Sequence, residues 1–178
     1  MTGSVPVFEP SALRPAARQV SGHPKSVGFR IAYMVDISRT FTVPRPLPGV
    51  VAYLRDFAHA VEWDPGTQKC EQIGVDSIGI GTQWQNTSKL YGVSTDLVYQ
   101  LTRDDERHLT FTGTNKTATS TDDMTFEPVG DESTRITYRA HVAFNGLARV
   151  ADPLVRIAFG RIADQVTDQL TQAVERRV

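Results

Sequence analysis

The C-terminal segment carries the clearest hydrophobic pattern of the chain. Apolar residues recur there at intervals of three and four, with polar residues between them, which predicts an amphipathic helix. Asp152 and Pro153 are typical of a helix start, and Arg176 and Arg177 suit the negative end of the helix dipole. At ~1.5 Å per residue this helix is about 36 Å long, and its apolar stripe requires a large apolar surface beneath it. The stripe contains Val155, Phe159, Ile162, Val166, Leu170 and Ala173.

The segment from Phe29 to Val43 alternates between apolar and polar residues, as a half-buried strand does. Only Arg39 interrupts the apolar row, and we expect a β-bulge near it. The proline-rich residues 44–48 end this strand. Val51, Leu54 and Phe57 then supply the buried face of a short helix.

A second short helix is expected from Ala60 to Trp63, because Asp64-Pro65-Gly66 is a strong turn signal. Beyond it, turn signals separate six further strands. The links between these strands are too short for parallel crossovers, so the strands are expected to pair antiparallel. We expect them at residues 67–75, 80–90, 93–103, 107–116, 118–128 and 133–144.

These elements predict an α+β fold. A seven-stranded antiparallel sheet carries two short helices after its first strand and a long C-terminal helix packed across it. Residues 1–27 are rich in proline and glycine and show no periodicity, which indicates a flexible N-terminal arm. Residues 28–178 are expected to form one domain.

Composition narrows the class of protein. The net charge is −1 over 178 residues, so no basic field favours nucleic acid as a partner. No segment has the length and apolar character of a membrane span or a secretory signal. The single cysteine, Cys70, excludes an internal disulfide and fits a reducing compartment. We therefore expect a cytoplasmic protein; association into a homodimer stays open.

The familiar catalytic and metal-binding motifs are missing from the sequence. The four histidines are scattered and form no His-x-x-x-His pair, so no metal site is expected. Gly79-Ile80-Gly81 lacks the third glycine, the lysine and the helix that nucleotide-binding loops need, and no cofactor is expected. Cys70 is interpreted as a structural residue.

A set of inward-facing side chains forms the candidate ligand site. Strand parity places aromatic residues opposite the long helix, with an amide and two phenols as polar groups, which is typical of an apolar ligand cavity. Ala158, Gly160 and Ala163 on the helix would leave volume unfilled. For any single residue, simple core packing is the better explanation; the small residues on the helix favour a cavity for the set as a whole. The candidate residues are Trp84, Asn86, Tyr99, Phe111, Tyr138, Phe159 and Ile162.

Asp122 and Tyr138 are the candidates for proton transfer. Asp122 and Asp123 are adjacent on a strand and point to opposite faces, so they form no carboxylate dyad. Asp122 alone could face the interior, where burial would raise its pKa. The interpretation that the sequence favours is that residues 118–123 form a solvated strand end.

Four short runs accompany this order of elements: Val50 to Phe57, Glu62 to Gly66, Gly79 to Trp84, and Arg135 to Ala140. With it, they resemble the START-like (SRPBCC) superfamily of helix-grip proteins, which includes polyketide cyclase/dehydrase-type proteins and Bet v 1-type carriers. The resemblance covers about residues 35–176 and identifies residues 28–178 as a START-like domain.

The resemblance leaves three functions open. It implies a carrier that binds a lipid, sterol, quinone, polyketide or similar molecule between sheet and helix. It also implies, as an alternative, a polyketide cyclase or dehydrase that moves a proton with a cavity tyrosine or aspartate. The third alternative is a non-enzymatic module that binds a protein partner. A cavity would favour the first two over the third.

Overall fold

A computed structural model describes residues 33–90, 92–144 and 153–178, except for the side chains of Tyr33, Leu90 and residues 153–159. The predicted arm at residues 1–27 and the predicted cap at Asp152 lie outside these residues. The predicted α+β helix-grip fold is confirmed. Among the described residues, no helix combines the length and the apolar character that crossing a membrane requires.

The described elements follow the predicted order. Seven strands form one antiparallel sheet in the order β1-β7-β6-β5-β4-β3-β2. A 3-10 turn at Phe57–His59 separates the two short helices. The strands are β1 Tyr33–Val43, β2 Thr67–Ile73, β3 Gln83–Leu90, β4 Val93–Asp105, β5 His108–Thr114, β6 Ala118–Pro128 and β7 Thr134–Phe144; the helices are α1 Leu47–Arg55, α2 Ala60–Trp63 and α3 Pro153–Arg177.

The bulge expected near Arg39 is wrong. β1 pairs with β7 without a register shift from Tyr33–Phe144 to Val43–Thr134. Arg39 keeps its place in the inner row because α3 supplies partners for its guanidinium. Its Nε donates to Asp164 Oδ1 at 2.8 Å and its Nη2 to the Gly160 carbonyl at 3.3 Å. The charged residue thus ties the sheet to the helix.

The solvated strand end expected at residues 118–123 is also wrong. Ser120 and Asp122 are only 9% and 6% exposed. The physical reason is the position of β6 in the sheet, where β5 and β7 pair with it on either side. A central strand has no wet edge, and its inward residues lie beneath α3. Asp122 is therefore an interior carboxyl group.

Aromatic packing fills one half of the space between sheet and helix. Phe57, from the 3-10 turn, contacts the rings of Trp63, Trp84, Tyr99 and Phe111, with centroids 4.4–6.2 Å apart. The C-terminal half of α3 closes this end with Leu170, Ala173 and Val174, which are fully buried. The other half, beneath the middle of α3, is not filled.

Candidate functional site

A cavity of about 370 Å³ lies between the unfilled half of the sheet and α3. This volume falls within the range of roughly 300–1,000 Å³ that small-molecule sites occupy. Val93 is 69% exposed and also lines the cavity, so it marks an opening to solvent. The apolar walls comprise Ile37, Val93, Leu97, Ala118, Ala140, Val142, Phe144, Ile162, Ala163 and Val166.

The helix side of the cavity is made of residues with small or medium side chains. Ile162, Ala163 and Val166 line it from α3. A Cβ atom at Gly160, half a turn earlier, would meet no atom of the described side chains within 4 Å. Glycine costs about 1 kcal/mol relative to alanine inside a helix, and here it leaves open space. Small residues on α3 therefore keep the helix from filling the interior.

Asp122 and Tyr138 form a buried hydrogen-bonded pair at the cavity. The Tyr138 hydroxyl donates to Asp122 Oδ1, while Asp122 Oδ2 has no partner among the described residues. Burial raises the pKa of Asp122 to about 6, although the bond from Tyr138 opposes this shift. Burial and the charge of Asp122 raise the pKa of Tyr138 well above its usual value. Tyr138 therefore stays a proton donor while Asp122 titrates near neutrality.

Tyr99 lies beside this pair, in a position that a glycine on the neighbouring strand leaves open. Burial, followed by the charge of Asp122, raises the pKa of Tyr99 well above its usual value. Its ring lies over Gly113 of β5, the residue opposite it in the sheet. A Cβ atom at Gly113 would lie only 2.6 Å from Tyr99 Cζ. Only glycine leaves room for the ring in this position.

Gly113→Ala should therefore strain the site without adding a group to the cavity. We expect the free energy of unfolding to fall by about 1–3 kcal/mol, the usual cost of an overpacked core. In a Tyr99→Leu background the same substitution should cost close to nothing, because the clashing ring is gone. Chemical denaturation of the wild type, the two single variants and the double variant measures the coupling. Equal costs in both backgrounds would contradict the assignment.

A second carboxyl group, Asp64, lines the cavity at the turn after α2. Its Oδ1 accepts from the Gly66 amide at 3.0 Å and its Oδ2 from the Thr67 hydroxyl at 2.6 Å. Asn86 Nδ2 donates to Thr67 Oγ1 at 3.0 Å, and Asn86 Oδ1 accepts from Ser88 at 2.6 Å. Burial raises the pKa of Asp64. The chain of bonds fixes Asp64 and Ser88 at the cavity wall.

The structure separates the candidate residues into two groups. Tyr99, Tyr138 and Ile162 line the cavity together with Asp122. Trp84 and Phe111 instead pack against Phe57 in the filled half and do not line the cavity. Asn86 lies behind Thr67 and supports Asp64 indirectly. The side chain of Phe159 lies outside the described residues.

Sequence reasoning missed Asp64 as a site residue. Its place in Asp64-Pro65-Gly66 indicated only a turn, and nothing local to the turn shows that it faces the interior. The signal that could have found it is the preceding large apolar residue, Trp63, which the structure shows to be 1% exposed. Within the described ranges, no group of three or more histidine, cysteine or acidic residues is arranged to hold a metal ion.

An open antiparallel sheet that grips a long C-terminal helix over a cavity defines the helix-grip class of START-like proteins. This chain belongs to the family described as polyketide cyclase / dehydrase and lipid transport, whose profile matches residues 34–175. A comparison with curated protein sequences gave no significant match.

Solved structures show the same fold. The Zhui aromatase/cyclase from Streptomyces sp. R1128 superposes with a TM-score of 0.68 at 14% identity, over 82% of this chain and 96% of that one. A START superfamily protein from Mycobacterium smegmatis gives 0.65 at 15% identity, over 80% and 99%. The di-domain aromatase/cyclase BexL gives 0.59 at 11% identity, over 81% of this chain and 50% of that one. At these identities the likeness establishes the fold alone.

Proposed function

We propose that this protein binds an apolar small molecule in the cavity between the sheet and α3. The observation that carries the proposal is a cavity with mainly apolar walls and a few fixed polar groups at one side. Buried apolar surface contributes roughly 25 cal/mol per Å², so the walls supply affinity. Tyr99, Tyr138 and Asp122 supply orientation, because each offers a polar atom held in place by its neighbours.

The second candidate is an enzyme that cyclises or dehydrates a polyketide-like substrate. The Asp122–Tyr138 pair favours it, since a carboxyl group with a pKa of about 6 is suited to proton transfer near neutral pH. The Zhui structural neighbour is named an aromatase/cyclase, which is compatible with this chemistry. A partner-binding module, the third hypothesis, would leave the cavity without a role.

Tyr138→Phe separates the two candidates. In a carrier the variant loses one neutral hydrogen bond, so affinity should fall only about 5-fold, which corresponds to about 1 kcal/mol. In an enzyme that uses Tyr138 as its acid, turnover of a poly-β-ketone substrate should fall by a factor of about 100 or more. Ligand titrations and turnover assays, run in parallel on the wild type and on Tyr138→Phe, measure the two effects.

The natural ligand can be sought directly. Native mass spectrometry of the purified protein, followed by solvent extraction, should reveal an apolar adduct of one molecule per chain if the ligand survives purification. Adding N-phenylnaphthylamine, a neutral apolar fluorophore, provides the complementary test on emptied protein. The proposal predicts saturable binding of the fluorophore at one site. A protein that carries no apolar adduct and also does not bind the fluorophore would contradict the proposal.

A further inference from the structure

The charged side chains that line the cavity are acidic, as far as the structure describes them. Asp64 and Asp122 both line the cavity, and no lysine, arginine or histidine does so among the described residues. Arg39, which reaches from β1 to α3, is already paired with Asp164. An anionic headgroup would therefore meet repulsion from two carboxylates and no described countercharge.

Asp122 has hydroxyl neighbours but no cationic partner among the described residues. It is 6% exposed; the Tyr138 hydroxyl donates to its Oδ1, and the hydroxyls of Tyr99 and Ser120 lie nearby and favour its charged form. Its Oδ2 is buried without a donor among the described residues. Removing an ionised carboxylate from water costs several kcal/mol unless a charge or hydrogen bonds compensate it. A ligand that brings a positive charge and N–H donors would provide both.

We infer that the ligand is an apolar amine whose ammonium group lies between Asp122 and Asp64. An ammonium carries three N–H donors, enough to reach Asp122 Oδ2 and the remaining lone pairs of Asp64. The apolar body then lies against Leu97, Val142 and Val166, which line the same cavity. This inference rests on the proposed function and adds the chemical class of the ligand.

A matched set of probes tests the charge preference. Naphthylethylamine, naphthylethanol and naphthylacetic acid share one ring system and differ in the polar group. Each probe is titrated against bound N-phenylnaphthylamine near neutral pH, and its competition with the fluorophore gives the dissociation constant of the probe. A hydrogen-bonded charge pair should make the amine about 10- to 100-fold tighter than the alcohol. The acid should bind more weakly than the alcohol.

Neighbouring residues supply a matched control. Asp122→Asn should bring the amine and the alcohol to similar affinities, and Asp64→Asn should reduce the preference for the amine. Asp123→Asn is the same substitution one residue away on the opposite face, where Asp123 accepts from His108 and Thr110. This control should keep the full amine preference.

The possible outcomes distinguish a failure of the amine inference from a failure of the proposed ligand-binding function. Binding of N-phenylnaphthylamine with equal or tighter displacement by the alcohol or the acid would overturn the amine assignment and leave the carrier function standing. Retention of the amine preference in Asp122→Asn would overturn it as well. Failure of N-phenylnaphthylamine and all three probes to bind would overturn the proposed function itself.

Discussion

Ala140→Phe should weaken ligand binding on the order of 100-fold while the fold remains intact. Ala140 lies on β7 between Ile37 of β1 and Asp122 of β6, and its small side chain forms part of the cavity floor. A phenyl ring there would occupy the space that the ligand needs. Displacing ligand surface worth about 3 kcal/mol lowers affinity on the order of 100-fold. Titration with N-phenylnaphthylamine measures the loss.

The matched control is Ala143→Phe. Ala143 lies on the same strand but points to the opposite face of the sheet, opposite Met34 and Thr119. The same ring added there should leave affinity unchanged. Circular dichroism should show native secondary structure for both variants. Wild-type affinity in a folded Ala140→Phe protein would place the ligand outside the cavity.

Asp122→Asn should make the protein more stable above about pH 6. An unfolded aspartate loses its proton near pH 4, whereas folded Asp122 holds its proton up to about pH 6. The folded state therefore binds more protons in this interval, and the free energy of unfolding falls as the pH rises through it. A difference of about 2 pKa units corresponds to a loss of about 3 kcal/mol. Asparagine carries no titrating proton and avoids this loss.

Chemical denaturation between pH 4 and 8 measures the effect as a difference between wild type and variant. The difference should grow from pH 4 to about pH 6 and then stay constant. Taking the difference removes the contribution of Asp64, whose pKa is also raised, except for the part that comes from repulsion between the two carboxylates. A wild type that gains on the Asp122→Asn variant as the pH rises would contradict a raised pKa at Asp122.

The fold could be predicted from local sequence patterns because each helix and strand shows its own hydrophobic periodicity. Alternation in β1 and the spacing of three and four residues in α3 define faces that must be buried, and short links require antiparallel neighbours. Arg39 broke the pattern for a reason that the local sequence cannot show. Its partners, Asp164 and the Gly160 carbonyl, lie more than 120 residues away.

The site was less predictable because parity tells which face a side chain occupies and not what covers that face. Tyr99 and Trp84 share the inner face of neighbouring strands and both contact Phe57, yet of these two residues Tyr99 lines the cavity and Trp84 does not. Asp122 looked like part of a wet strand end because its neighbours are polar. Its burial depends on β6 being central, which only the pairing of distant strands determines.

The buried carboxylate of Asp122 lowers the stability of the folded protein, and we attribute its presence to function. An asparagine at position 122 could still accept the bond from Tyr138 without bringing a charge into the interior. Residues that lower stability yet occupy a ligand site are typical of functional positions. The expected gain in stability of Asp122→Asn and its expected loss of amine preference are two consequences of the same buried charge.

The most direct test of the account is the position of a bound ligand in solution. Nuclear Overhauser effects from N-phenylnaphthylamine to assigned methyl groups report contacts within ~5 Å, about the spacing of packed side chains. The account predicts contacts to Leu97 of β4, Val142 of β7 and Val166 of α3, which surround the cavity from three sides. Contacts confined to the exposed Ile73 at the end of β2 and to Val75 and Ile80 of the β2–β3 connection would contradict it.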